Sequence, residues 1–142
     1  LIHQPRYSMF ERWIEDGLQD VLTEKGIGSI AFCPLAQGLL TNKYINGVPE
    51  NSRAGKPWEI SLNSDNITAD KIEKVKKLDE IAKQRSQSLA QMALAWTLRG
   101  GKVTSALIGA SKSSQITENV HALDNLEFSI EELEAIEKIL NI

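Results

Sequence analysis

The sequence predicts an α/β fold with a parallel sheet, and three observations predict it. Apolar runs at 1–4, 28–34 and 103–108 have the length of strands, and between and after them apolar residues recur at helical spacing. Strands and helices alternating in this way form βαβ units. The middle run, Ser29-Ile30-Ala31-Phe32-Cys33, is mostly apolar, which suits a strand buried on both faces of such a sheet. The chain of 142 residues, 42% hydrophobic and 25% charged, is long and apolar enough for one domain with a sizeable core.

Taken in order, the first strand candidate is 1–4, ending before Pro5 because proline cannot donate to a ladder. A helical region is expected from Tyr7, with Trp13, Ile14, Leu18, Val21 and Leu22 at helical spacing, an irregularity at Gly17 and a stop at Gly26. The second strand, 28–34, leaves through a loop or short helical turn over 35–44. Residues 45–66 are the least regular part, and a connection of that length is usually functional or disordered. Thr68 reads as the N-cap of a helix with the stripe Ile72, Val75, Leu78, Ile81 and Ala82. Ser88 and Gln91 form a capping box ahead of Leu89, Met92, Ala93 and Trp96, and Gly100-Gly101 ends that helix. The third strand, 103–108, leads into a helix over 112–123. Ser129 and Glu132 make another capping box, and the last helix turns Ile130, Leu133, Ile136, Ile139 and Leu140 inward.

Composition excludes several classes. A net charge of −3 gives no electrostatic footprint for nucleic acid or an anionic membrane. No apolar run approaches the ~20 residues needed to span a bilayer, and no signal peptide is visible. Cys33 is the single cysteine, so an internal disulfide and a cysteine metal cluster are excluded, which fits a reducing, cytoplasmic setting. His3 and His121 lie far apart without ligand spacing, so no metal site is expected. Asn66-Ile67-Thr68 matches a glycosylation sequon, read as chance in a chain without a secretory signal. The chain opens without Met and already in a strand, which predicts a segment of a longer protein or a processed one.

Three features fall at or just after strand C-terminal ends: Gln4, the Phe32-Cys33-Pro34-Leu35 corner, and the segment from Gly109 to Asn119. In parallel α/β folds that edge is where ligands bind. Gly109 lets a ligand approach the backbone, and a helix start near Ser111 offers free N–H groups and a favourable dipole to an anion. Lys112 adds a cation. Gln115, Glu118 and Asn119 share one helix face at i, i+3 and i+4. Taken alone, the segment reads more readily as an ordinary strand-to-helix connection with a serine cap.

Three motifs in order, Gln4-Pro5-Arg6-Tyr7, the run from Ile30 to Tyr44, and the run from Leu107 to Asn119, resemble the C-terminal part of the aldo-keto reductases. The branch that looks nearest is the bacterial L-glyceraldehyde 3-phosphate reductases and the potassium-channel beta subunits. The resemblance implies a partial (β/α)₈ TIM barrel, about the last three β/α units plus C-terminal helices. It also implies binding of NADPH, NADP(H) being the family cofactor. By resemblance, Gln4 holds the nicotinamide carboxamide and Phe32 stacks on the ring. Cys33, Pro34, Leu35, Ala36 and Gln37 follow the pyrophosphate, with Cys33 standing where Ser or Thr is more usual. Lys43 and Arg53 meet the adenosine phosphate, and Asn51 stands where the channel subunits carry an aromatic. Gly109, Ser111, Gln115, Glu118 and Asn119 match the phosphate, ribose and adenine contacts.

The family's catalytic Asp, Tyr, Lys and His lie on the first half of the barrel, and Tyr7, Tyr44 and His3 do not fall on the matching positions. The resemblance therefore implies a cofactor-holding segment with no catalytic residue of its own, inactive alone, from a reductase of small aldehydes or ketones. The alternative is a non-enzymatic nucleotide-binding or regulatory module. Three strands of an eight-stranded barrel would leave two open sheet edges and an uncovered interior, and exposed edges invite association with another chain.

Overall fold

The computed structural model describes residues 1–50, 52, 54–55 and 67–141. Its centre is a parallel three-stranded sheet in the order β1-β2-β3, with β1 Ile2–His3, β2 Gly28–Phe32 and β3 Ser105–Leu107. Ile2 pairs with Gly28 and His3 with Ser29, while Ile30, Ala31 and Phe32 pair with Ser105, Ala106 and Leu107. The first pairing continues past the formal strand. Phe32 N donates to Pro5 O at 3.0 Å and Tyr7 N to Phe32 O at 3.3 Å, so Pro5 joins through its carbonyl, the one ladder group it retains.

Both strand-to-strand connections carry helices among the described residues, the usual form of crossover between parallel strands. A 3₁₀ turn at Trp13–Glu15 and α1, Leu18–Glu24, join β1 to β2. Helix α1 stops in a left-handed cap at Gly26, φ 62°: Gly26 N donates to Thr23 O and Ile27 N to Leu22 O. Two 3₁₀ turns, Ala36–Gly38 and Asn42–Tyr44, then α2, Ala69–Gln84, and α3, Leu89–Leu98, join β2 to β3. After β3 come α4, Ser113–Val120, and α5, Ile130–Leu140. The expected caps are present. Thr68 accepts from Lys71 N, and Ser88/Gln91 and Ser129/Glu132 form full capping boxes.

Helix α3 is the hub. Leu89, Ala90, Met92, Ala93, Leu94, Ala95, Trp96 and Thr97 are all buried, the pattern of a helix enclosed on every side. It packs against α2, α4, β3 and the turn after α4. Tyr7 stacks on Trp96 at 5.6 Å between centroids.

Three expectations are corrected. The helix expected from Tyr7 is absent before Trp13, because Ser8 and Glu11 exchange both backbone hydrogen bonds in a tight turn. Gly17, at φ 82°, separates the short turn from α1 at the irregularity expected there, and Trp13 and Val21 are exposed. In α5 the inward residues are Ile136, Leu133, Ile139 and Leu140, whereas Ile130 in the first turn is exposed.

The third correction concerns the sheet. Alternation along the strands places Ser29 and Ala31 on the face covered by helices, and both are buried. Ile30 and Phe32 point the other way and are only half-buried, while Ile2 and Leu107 beside them are 64% and 53% exposed. The sheet is therefore buried on one face and open on the other.

A polar cluster fastens the connection after β1 to α3 and α5. Glu15 accepts from Arg12, from Arg99 Nη2 at 3.0 Å and from the Tyr7 hydroxyl at 2.6 Å, and Arg12 also pairs with Glu137. Arg99 lies 3.5 Å over the Trp96 ring. Burial pushes the Glu15 carboxyl up, but hydrogen bonds from Arg12, Tyr7 and Arg99 outweigh it and hold the carboxyl below its ordinary 4.5. A carboxylate depressed in the folded state stabilises the fold fully above its unfolded value, and that contribution is lost as pH falls through the folded value. The acid limb of stability below pH 4.5 should therefore flatten in Glu15→Gln relative to the parent, measured by urea denaturation at successive pH values. Parallel acid limbs for the two proteins would show that Glu15 carries no such linkage. Tyr7, raised to about 12 chiefly by burial, adds an alkaline counterpart: stability declines as pH rises from 10 towards 12.

Candidate functional site

The C-terminal ends of the three strands lie at one edge of the sheet. Pro5 O bonds to Phe32 N, and Phe32 pairs with Leu107, so Gln4, Cys33 and Gly109 follow their strands side by side. Gln4 is exposed. The Phe32 ring belongs to the open face, half-buried, where one side of a flat group could rest on it.

The corner after β2 has an unusual backbone. Cys33, Ala36 and Gln37 have φ of 54°, 47° and 60°, the left-handed region, and Gly38 follows at 100°. Side-chain-bearing residues seldom occupy that region, and such conformations concentrate where a ligand or mechanism needs them. Local bonds hold the shape: Ala36 N to Cys33 O, Gly38 N to Leu35 O and Leu40 N to Leu35 O. Gln37 Oε1 is buried with no hydrogen-bond partner among the described residues, an acceptor left open inside this loop. Cys33 is a half-buried free thiol. Lys43 lies in the turn capped by Thr41, whose Oγ1 accepts from Lys43 N, and its ammonium is 5.9 Å from the Tyr44 ring centroid. Arg53 and Asn51 lie outside the described residues.

On the β3 side, a Cβ added to Gly109 would meet no atom within 4 Å, and the residue has an ordinary φ. The space beside the backbone there is open. Helix α4 starts two residues later than Ser111. Its N-cap is Lys112, extended at φ −141°, and makes no side-chain cap bond, so the expected serine cap is corrected. Gln115 supplies the cap instead. Its Oε1 accepts from Ser111 N at 2.8 Å, Ser111 Oγ at 3.2 Å and Lys112 N at 3.2 Å. Gln115 thus shapes the turn with its carbonyl oxygen, leaving the amide end for other partners. Glu118 is exposed and its backbone carbonyl accepts from Gln91 Nε2 at 2.9 Å, tying α4 to α3. Asn119 is the buried residue of α4. The i, i+3, i+4 spacing singled out Gln115 with Glu118 and Asn119, but its Oε1 is taken by the backbone before the helix. The left-handed residues gave no sequence signal beyond Gly38. Among the described residues, no group of three His, Cys, Asp or Glu could hold a metal, and no helix is long and apolar enough to cross a membrane.

Residues 1–141 match the family described as Aldo/keto reductase family. The chain is 50% identical over 141 residues to an L-glyceraldehyde 3-phosphate reductase of Escherichia coli O157:H7, covering 97% of this chain and 41% of that protein. It is 36% identical over 126 residues to a probable voltage-gated potassium channel subunit beta of Oryza sativa subsp. japonica, covering 87% and 38%. Among solved structures, a glycerol dehydrogenase from Gluconobacter oxydans superposes with a TM-score of 0.78 at 26% identity, covering 98% of this chain and 42% of that one. The three β/α units are accordingly part of a TIM barrel, and the chain spans well under half the length of these relatives.

Proposed function

The chain belongs to the aldo/keto reductase family, and we propose that it is the NADPH-holding part of an oxidoreductase that reduces a small aldehyde of the glyceraldehyde 3-phosphate class. The observation that carries this reading is the clustering of Gln4, the left-handed corner at 33–38 and the open backbone at Gly109 on one sheet edge. The residues fit a dinucleotide. The Phe32 ring offers a flat surface, the Gln37 Oε1 orphan offers an acceptor to a hydroxyl or amide, and the space at Gly109 admits a phosphate.

In this reading Gln4 orients the carboxamide and Phe32 shields one face of the nicotinamide. The backbone from Cys33 through Pro34, Leu35 and Ala36 to Gln37 follows the pyrophosphate. Lys43 and Arg53 pair with the 2′-phosphate, and Ser111, Gln115, Glu118 and Asn119 hold the adenosine end. When bound, the cofactor supplies the hydride. The proton donor belongs to barrel units outside this chain, so the chain alone is proposed to reduce nothing. A second reading, a nucleotide-binding regulatory module, is favoured by the likeness to a protein named as a potassium channel subunit beta.

The test is a chimera in which this chain replaces the matched segment of the Escherichia coli reductase, titrated with NADPH by fluorescence. Gly109→Ala is a clean probe because its Cβ would meet nothing within 4 Å among the described residues. It should melt as the parent does yet bind NADPH about tenfold or more weakly, since displacing a charge-assisted phosphate contact costs about 1.5–3 kcal/mol. Unchanged binding would remove the phosphate from Gly109. NADPH binding with no aldehyde reduction by a chimera that keeps the reductase's other barrel units would favour the regulatory module.

A further inference from the structure

The helices enclose a groove that the cofactor reading leaves unused. It has a volume of about 460 Å³ and lies where α1, the end of α3, the segment 126–128 and the start of α5 meet. That volume falls in the range of small-molecule sites. None of its lining residues belongs to the strand edge assigned to NADPH. Part of the lining, from Glu15 and Gln19 to Arg99 and Lys102, is polar. Leu126, Phe128 and Leu133 make the rest apolar, and all three are half-buried.

The hydrogen-bonding capacity left open in this groove selects the ligand. Glu15 has none to give: Oε1 accepts from Tyr7 Oη and Arg99 Nη2, and Oε2 from Arg12 Nε and Nη2. Arg99 also commits Nη1 to Tyr7 Oη and Trp96 O. Its Nε–H and one Nη2–H remain without a partner among the described residues. Lys102 gives one ammonium proton to Asp20 at 2.6 Å and keeps the others. Gln19 is only 7% exposed, yet its amide makes no hydrogen bond among the described residues. A polar group so buried normally has a partner, so Gln19 points to one from outside the chain. The open capacity is thus mostly N–H, and two of its three carriers are cations. A cationic ligand would be repelled there, and a wholly apolar one would leave Gln19 unpaired. We infer that the groove is a binding site for a small organic carboxylate with an aromatic or branched apolar body. The carboxylate accepts from the Gln19 amide and the Lys102 ammonium, and Arg99 adds positive charge. The body lies on Leu126, Phe128 and Leu133. Glu127, exposed and without an ion pair among the described residues, borders the groove and opposes an anion. The inference does not rest on the cofactor assignment, and its readout needs no nucleotide.

The experiment titrates phenylpropionate into the reductase chimera without nucleotide, by calorimetry and by the shift in melting temperature. The expected result is saturable binding with a rise in Tm. Phenylpropanamide keeps the apolar body without the charge, and acetate keeps the charge without the body. Each should bind roughly tenfold or more weakly than the complete probe. Gln19→Leu keeps the volume and loses no side-chain hydrogen bond among the described residues, so its fold should hold. It should weaken phenylpropionate roughly three- to tenfold, the loss of one hydrogen bond. Lys102→Met keeps the stem and removes the charge, which should weaken the probe roughly tenfold or more. Glu127→Gln removes the opposing charge and should tighten binding about twofold. The inference is overturned by the absence of saturable binding or by equal binding of the acid and its amide. It is also overturned by an affinity that neither Gln19→Leu nor Lys102→Met lowers, which would place the probe elsewhere in the barrel.

Discussion

Replacing Arg85 by Ala is expected to cost about 3 kcal/mol or more of stability. The Arg85 side chain is 2% exposed at the end of α2. Its Nη1 pairs with Glu132 at 2.8 Å, Nη2 donates to Asn125 O at 3.0 Å and Nε donates to Gln87 Oε1 at 2.9 Å. The guanidinium plane lies 3.7 Å over the Phe128 ring. One side chain therefore joins α2, the segment 125–128 and the first turn of α5. Truncating one member of a buried ion pair costs about 3–5 kcal/mol, because the remaining groups keep their desolvation and lose their partner. Glu132 is partly solvated, which places the value near the lower end. Arg85→Lys should recover only part of the loss, since an ammonium cannot bond in three directions and stack at once. Urea denaturation of the three proteins decides the point, and a change under 1 kcal/mol for Arg85→Ala would show that Gln87 and Asn125 hold the loop without it.

That anchor was invisible in the sequence, and the reason is physical. Thr68, Ser88 and Ser129 could be identified as caps because the groups they bond lie three residues away. Arg85 bonds to residues 125 and 132, and nothing near it in the chain announces that they return to it. The same divide runs through the site. The apolar runs gave three strands, and parallel pairing then put Gln4, Phe32 and Gly109 on one edge. The left-handed turns at Cys33, Ala36 and Gln37 involve residues with side chains, so no glycine marked them. The strand's own residues did not reveal the bareness of one sheet face, since Ala31 on one side and Ile30 and Phe32 on the other are all apolar; only the resemblance to part of an eight-stranded barrel implied it. Ile30 and Phe32 are suited to burial, and in a closed TIM barrel the strands of the other units cover the face they occupy.

Within the proposed function the largest binding effect should come from Lys43. In the reductase chimera, Lys43→Ala should weaken NADPH by roughly ten- to a hundredfold and leave NADH nearly unchanged. The two cofactors differ only by the 2′-phosphate, so a residue that contacts that group alone changes one affinity and spares the other. A charge-assisted hydrogen bond to phosphate is worth about 1.5–3 kcal/mol, which sets the range. The free structure supports a residue held ready for an outside partner: Lys43 is exposed, its turn is fixed by the Thr41 cap, and its ammonium stands 5.9 Å from the Tyr44 ring centroid. At that distance the ring is a weak cation–π partner, and the side chain remains exposed for a stronger one. Lys43→Arg should retain most of the preference, since a guanidinium also binds phosphate. Raising salt from 50 to 500 mM should weaken NADPH more than NADH in the parent and narrow the difference in Lys43→Ala, where Arg53 alone would remain to meet the 2′-phosphate, because screening acts on such charge pairs. Equal weakening of both cofactors would mean that Lys43 shapes the loop instead of reading the 2′-phosphate.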